Sequence, residues 1–179
     1  MDDTFLIRQT LDGNRDAFRL LVLRHERSVF RFLGLLGFAG PAAEDIAQES
    51  FLRAYRHLRE FDPRRAKFST WLFTLARNLA ASERARARFR REEAGSEHPE
   101  RADSAPDPLA SAEAREWQSR LVCAIGRLPE TLRAAVVLAR VEGLSVEEVA
   151  AIEGCAVGTV KSRIFRAREL LRAALQEEG

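Results

Sequence analysis

Cysteine is scarce in this chain: Cys123 and Cys155 are the only two among 179 residues. That scarcity excludes a disulfide framework and fits a reducing compartment. Neither cysteine has a Cys-x-x-Cys or His-x-x-x-Cys partner, so no metal site is expected. His25, His57 and His98 are scattered, and His25 falls on an apolar helical face, a place for core packing rather than ligation. No apolar run reaches the roughly 18 residues of a membrane-crossing helix. The opening Met1-Asp2-Asp3 is acidic, unlike the basic start of a signal peptide, so the expected location is the cytoplasm. Gly34, Gly37 and Gly40 lack the Gly-Lys-Ser/Thr of a phosphate loop and read as an inter-helix turn. Alternating apolar and polar runs are missing too, which points to an all-α fold. No nucleophile, base or paired carboxylates stand out. The chain is expected not to be an enzyme and to need no cofactor and no small-molecule substrate.

The charge is present in quantity but unevenly laid out. Residues 1–91 hold 18 basic and 11 acidic side chains, a net of +7. Residues 92–116 hold 2 and 8, a net of −6, together with Pro99, Pro106, Pro108, Gly95, Ser96, Ser104 and Ser111. Residues 117–179 hold 9 and 8, a net of +1. A structureless loop that long is uncommon inside one compact domain. The middle segment therefore reads as an acidic, flexible linker over 92–111, joining two small helical domains at 1–91 and 112–179.

Both flanks carry helical periodicity. Phe18, Leu21, Val22, His25, Val29, Phe32, Leu33 and Leu36 recur at spacings of three and four. Pro41 suits the first turn of a second helix, whose apolar face is Ala47, Phe51, Ala54, Tyr55 and Leu58. Residues 59–67 read as a loop. Phe68, Leu72, Leu75 and Leu79 then mark another helix. The first segment is expected to be a bundle of three or four helices.

The C-terminal segment gives the sharpest local pattern. A helix opens at Leu128-Pro129 and runs through Arg140, with Gly143 ending it. Ser145-Val146-Glu147-Glu148 is a capping box. A short helix follows, then the tight turn Glu153-Gly154-Cys155-Ala156, then a long helix from Val157. Short helix, glycine-containing turn and longer basic helix make a helix-turn-helix. On the long helix, Val160, Ile164, Ala167 and Leu171 fall on one narrow face, which must be the core side. Gly158, Ser162, Phe165 and Arg166 then point outward, with Lys161 and Arg163 flanking. An outward Phe165 fits a major groove, where an aromatic ring meets a thymine methyl, though packing on the other domain or on a protein partner would use it as well. Arg163, Arg166, Arg168 and Arg172 suit phosphates, and a solvated helix face would accept them too.

Two strings in the first domain go beyond periodicity. Asp45-Ile46-Ala47-Gln48-Glu49-Ser50-Phe51 puts Asp45, Gln48 and Glu49 on one helical face. Phe68-Ser69-Thr70-Trp71-Leu72-Phe73-Thr74-Leu75-Ala76-Arg77-Asn78 follows a basic loop. Both strings, with Gly158-Thr159-Val160-Lys161-Ser162-Arg163-Ile164-Phe165-Arg166-Ala167-Arg168, resemble the extracytoplasmic-function group of the bacterial sigma-70 family. The resemblance covers about residues 5–90 and 112–175.

It implies a promoter-specificity subunit of RNA polymerase, with region 2 over 1–91 and region 4 over 112–179. It places Asp45, Gln48 and Glu49 against the clamp helices of the largest polymerase subunit, a face suited to Arg-rich helices. It assigns the unwound −10 element to Phe61, Arg64, Arg65, Lys67, Arg77 and Asn78. There Phe61 walls a flipped-base pocket, Asn78 bonds a base and the cations hold the strand. Phe61 as a hydrophobic plug of the loop, and Trp71 as core, are the plainer alternatives. Arg84 and Arg88, with Arg91 and neighbouring arginines, would contact phosphates beside that element or simply solvate a helix end. Lys161, Ser162, Arg163, Phe165 and Arg166 would read the −35 element as duplex. An anti-sigma factor is an implied partner. The acidic linker would imitate nucleic acid in a basic channel or serve as a tether. Thr74 and Leu75 stand where primary sigma factors carry a tryptophan pair, which implies weaker melting and a stricter promoter requirement. Ser82 stands near a position often acidic in the group.

Two other readings compete. A helix-turn-helix regulator that binds operators without joining polymerase would leave the Asp45-Gln48-Glu49 face unused. A protein-interaction module would bind an acidic partner through both basic faces, and Phe165 on an ordered recognition helix speaks against it.

Overall fold

The structure, a computed structural model, describes residues 2–94 and 112–177. It is all-α, with no strand among the described residues, and the chain divides into two compact units. Residues 95–111, most of the expected acidic linker, and the side chain of Arg91 lie outside the described part.

The first unit holds α1 (Asp3–Leu11), α2 (Arg15–Leu35) as far as Leu33, α3 (Gly40–Arg56), a single 3₁₀ turn (Leu58–Glu60) and α4 (Phe68–Ala94), while Gly34–Ala39 group with the second unit. Local chemistry sets the starts. The Asp2 carboxylate accepts from the Phe5 amide at 2.8 Å and caps α1. The Asn14 carboxamide accepts from the Asp16 amide at the head of α2. The periodic residues of α2 do turn inward: Leu21, Val29, Phe32 and Leu33 are buried. Each such side chain contributes roughly 1.5–3 kcal/mol on leaving water. Phe32 meets Phe73 of α4 edge-on at 5.3 Å, and Phe18 meets Tyr55 of α3 at 4.9 Å. These aromatic pairs fix α3 and α4 against α2.

His25 packs its ring against buried Phe68 at 5.4 Å, as core packing requires, and its Nε2 lies 2.9 Å from Asp3 Oδ2. That partner belongs to α1, which the periodicity from residue 14 onward did not include. Asp3 in its first turn reaches both His25 and Arg24.

The second unit holds α5 (Ala112–Arg127), α6 (Glu130–Val136), a π-turn (Val137–Val141), α7 (Val146–Glu153) and α8 (Val157–Glu177). Arg133 donates to the carbonyls of Gly126 and Leu128, satisfying the open end of α5. The helix expected to run unbroken to Arg140 instead widens into the π-turn, with Glu142 donating to the Val137 carbonyl. Gly143 follows at φ +70°, a conformation open to glycine. Buried Val136, Val137 and Leu138 meet Val149 and Ile152 of α7 and Val160, Ile164 and Ala167 of α8 in one core.

Candidate nucleic-acid interface

The helix-turn-helix is built as its sequence dictates. Ser145 accepts from the Glu148 amide at 3.1 Å while Glu148 accepts from the Ser145 amide at 2.8 Å. Both halves of the capping box are therefore present. Gly154 adopts a left-handed conformation, φ +62°, and closes α7. On α8, Val160, Ile164 and Ala167 are buried, and Phe165 is 65% exposed. Lys161, Ser162 and Arg166 share the exposed side with it. A bare phenyl ring between two cations is poor chemistry for solvent. It is good chemistry for a DNA groove, where the ring contacts thymine methyls and the cations contact guanine edges or phosphates.

Arg163 differs from its neighbours. It is half-buried, and its Nη1 lies 3.2 Å from Glu153 Oε2 and 3.7 Å from Cys155 Sγ. The Glu153–Arg163 pair joins the end of α7 to the second turn of α8. Nothing in the sequence spacing announced it, because the partners are ten residues apart across a turn.

In the first unit the candidate residues are dispersed. Asp45 and Gln48 are exposed on α3 and Glu49 is half-exposed beside them. With Leu52 they line a shallow, open depression. Glu49 Oε1 accepts from Arg53 Nε at 2.7 Å, and this bond holds the Glu49 carboxyl below its ordinary value of 4.5. Leu52, an exposed apolar residue at the rim, was absent from the expected set. Its i+3 and i+4 spacing from Glu49 and Gln48 is the signal that could have found it.

Phe61 lies against Trp71 at 5.2 Å with the rings tilted by 35°, and meets Phe68 edge-on at 5.9 Å. Trp71 is half-buried rather than in the core, so Phe61 and Trp71 together border the loop. The loop is tied at its next residue. Asp62 accepts from the Arg64 amide at 3.0 Å and from the Arg64 guanidinium at 3.0 and 3.1 Å. Those bonds, the side-chain one foremost, hold the Asp62 carboxyl below its ordinary 3.8. Arg64, Arg65 and Lys67 project outward. Arg77, half-buried, and Asn78, exposed, lie about two turns along α4 from Trp71. Further along, Arg84 is half-buried and Arg88 exposed. Glu83 binds Arg90 at 2.8 Å and Arg86 at 3.1 Å, and the Arg90 bond chiefly holds its carboxyl below 4.5. Thr74 and Ser82 turn their hydroxyls back onto the carbonyls of Thr70 and Asn78.

Among the described residues, no helix is long and apolar enough to cross a membrane.

Comparison with known proteins gives a consistent result for both units. Residues 21–90 match the family Sigma-70 region 2, and residues 118–171 match Sigma-70, region 4. The RNA polymerase sigma-H factor of Pseudomonas aeruginosa is 38% identical over 183 residues, spanning 97% of this chain and 94% of that one. The ECF RNA polymerase sigma-E factor of Escherichia coli (strain K12) is 36% identical over 187 residues, spanning 98% and 95%. Among solved structures, the sigma factor RpoE in complex with the anti-sigma factor NepR, from Bartonella quintana, matches with a TM-score of 0.76 at 29% identity. That match covers 89% of this chain and 96% of RpoE. CnrH in complex with the cytosolic domain of CnrY matches at 0.72 and 29% identity, covering 99% of each chain. The chain belongs to the sigma-70 family and is a sigma factor of the extracytoplasmic-function type, a non-catalytic subunit for transcription initiation by RNA polymerase.

Proposed function

We propose that the two units divide promoter recognition between them. The C-terminal unit, over about 112–179, reads the −35 element as duplex through α8, with Lys161, Ser162, Phe165 and Arg166 facing the groove. The N-terminal unit, over about 1–91, traps the unwound −10 element. Phe61 supplies a stacking wall, Asn78 a base-bonding amide, and Arg64, Arg65, Lys67 and Arg77 the backbone cations, with Arg84 and Arg88 on phosphates beside it. The Asp45, Gln48 and Glu49 face docks on the clamp helices of the largest polymerase subunit, and Leu52 adds an apolar contact at its rim.

The observation that carries this reading is Phe165, 65% exposed on a helix whose opposite face buries Val160, Ile164 and Ala167. A solvated helix has no use for it, and an operator-binding regulator would have no use for the Asp45-Gln48-Glu49 depression. The complex of RpoE with the anti-sigma factor NepR supports an anti-sigma factor as a partner here. The acidic segment over 92–111 serves as the connector.

Co-purification with bacterial core RNA polymerase tests the reading. A stable complex that initiates at a distinct set of promoters is the expected result. A preparation that binds duplex DNA but neither binds core nor starts transcripts would transfer the protein to the regulator reading.

A further inference from the structure

The arginines of α8 are not equivalent. Arg166 is exposed, as is Lys161. Arg163 is drawn back to α7: its guanidinium sits 3.2 Å from a Glu153 carboxylate whose side chain is fully buried, while the Arg163 side chain itself is only 24% exposed. The same nitrogen lies 3.7 Å from Cys155 Sγ in the turn. The three residues come from the last position of α7, the turn and the second turn of α8. A carboxylate out of water needs a cation held close. The distribution of charge also matters. Glu153 neutralises one cation on a helix that otherwise presents Lys161, Arg166 and Arg168 outward.

We propose that Arg163 is a positioning residue and not a phosphate contact: Glu153 retains its guanidinium inside the helix-turn-helix, setting the tilt of α8 and withholding one positive charge from the DNA. This rests on the reading of α8 as a duplex-binding helix. It narrows that reading by removing one member of the expected contact set. Glu153 becomes a determinant of how strongly, and at what ionic strength, the C-terminal unit holds DNA.

The salt dependence of binding separates a retained arginine from a contacting one. Each neutralised phosphate adds about 0.9 to the slope of log K against log[salt]. The full-length chain and its variants would be titrated with a random-sequence DNA duplex across a salt series. Arg163→Gln should leave the wild-type slope unchanged. Glu153→Gln should release Arg163 and steepen the slope by about 0.9, with tighter binding at low salt. Adding Arg163→Gln to Glu153→Gln should return the slope to the wild-type value.

A slope flattened by about 0.9 in Arg163→Gln alone would make Arg163 an ordinary phosphate contact and overturn the proposal. Steepening that survives in the double variant would trace the effect to the Glu153 charge itself and overturn it equally. Should Glu153→Gln fail to fold, the Arg163→Gln slope still decides between retention and contact. A wild-type chain without duplex binding would instead overturn the duplex reading beneath it, an outcome distinct from bound DNA with unmoved slopes.

Discussion

The C-terminal unit offers its candidate contacts from one continuous helix, whereas the N-terminal unit spreads them over a loop and two helices. On α8, burial of Val160, Ile164 and Ala167 forces Phe165 and Arg166 outward. The reading face is the complement of the core face, and a groove of fixed shape can accept it. In the N-terminal unit, an aromatic pair, Phe61 and Trp71, stands at the head of α4. Arg77 and Asn78 lie further along the same helix, with cations in the adjoining loop. Pieces of that kind suit a flexible strand, which can bend to meet stacking surfaces and charges in succession. On the proposed division of promoter recognition, the state of the DNA each unit handles would follow from how its side chains are supported.

The comparison can be broken most severely at the polymerase face. Asp45→Ala combined with Gln48→Ala should weaken core binding by about 2–5 kcal/mol, the range for truncating charged partners at an interface. Duplex binding by the free chain should not change. Equal loss of both, measured by core titration and duplex anisotropy, would collapse the division of labour. On α8, Lys161→Ala and Phe165→Ala should each lose about 1–3 kcal/mol at the −35 element. Binding of a single-stranded −10 oligonucleotide by the holoenzyme should stay as it was. The mirror image is Phe61→Ala, expected to lose about 1–3 kcal/mol of single-strand affinity with duplex affinity intact.

Two smaller effects concern support. Ser145→Ala deletes one half of the capping box and should lower the stability of the C-terminal unit by about 1 kcal/mol, read by denaturant unfolding, with the N-terminal unit unaffected. Glu83 has a folded pKa lowered below 4.5, chiefly by its bond to Arg90. Its stabilising contribution is therefore complete above the ordinary value and disappears as pH falls through the lowered one. The melting difference between wild type and Glu83→Gln should be flat from neutral pH down to about pH 5 and vanish in stronger acid. A difference that changed between neutral pH and pH 5 would remove the ion pair from the account.

Much of this architecture is legible from residue spacing alone, for identifiable reasons. The outward place of Phe165 followed from angle on a helix, and the capping box from four consecutive residues, because both depend on local geometry. The π-turn at Val137–Val141 was not legible. Its sequence, Val-Leu-Ala-Arg-Val, suits an α-helix equally, and the shifted hydrogen bonds leave no mark in residue type. Nor was α1, whose apolar residues Phe5, Leu6 and Ile7 are consecutive and mark no periodic face, so the Asp3–His25 bond came only with the fold. Glu153–Arg163 and Phe61–Trp71 share that property: each joins partners separated by a turn or loop, and tertiary closure decides the contact. At the candidate sites, the exposure of Asp45, Gln48, Lys161, Ser162 and Arg166 was readable from helical spacing, while the internal partners that restrain Glu49, Arg64 and Arg163 were not.

The most direct test is start-site mapping on a genomic promoter pool with three holoenzymes, carrying wild type, Phe165→Ala and Asn78→Ala. Start sites of the wild-type enzyme should share two motifs at fixed spacing. Phe165→Ala should relax the upstream motif alone, and Asn78→Ala the downstream motif alone. If both substitutions degraded the same motif, or neither changed sequence preference, the assignment of duplex and single-strand reading to separate units would be contradicted.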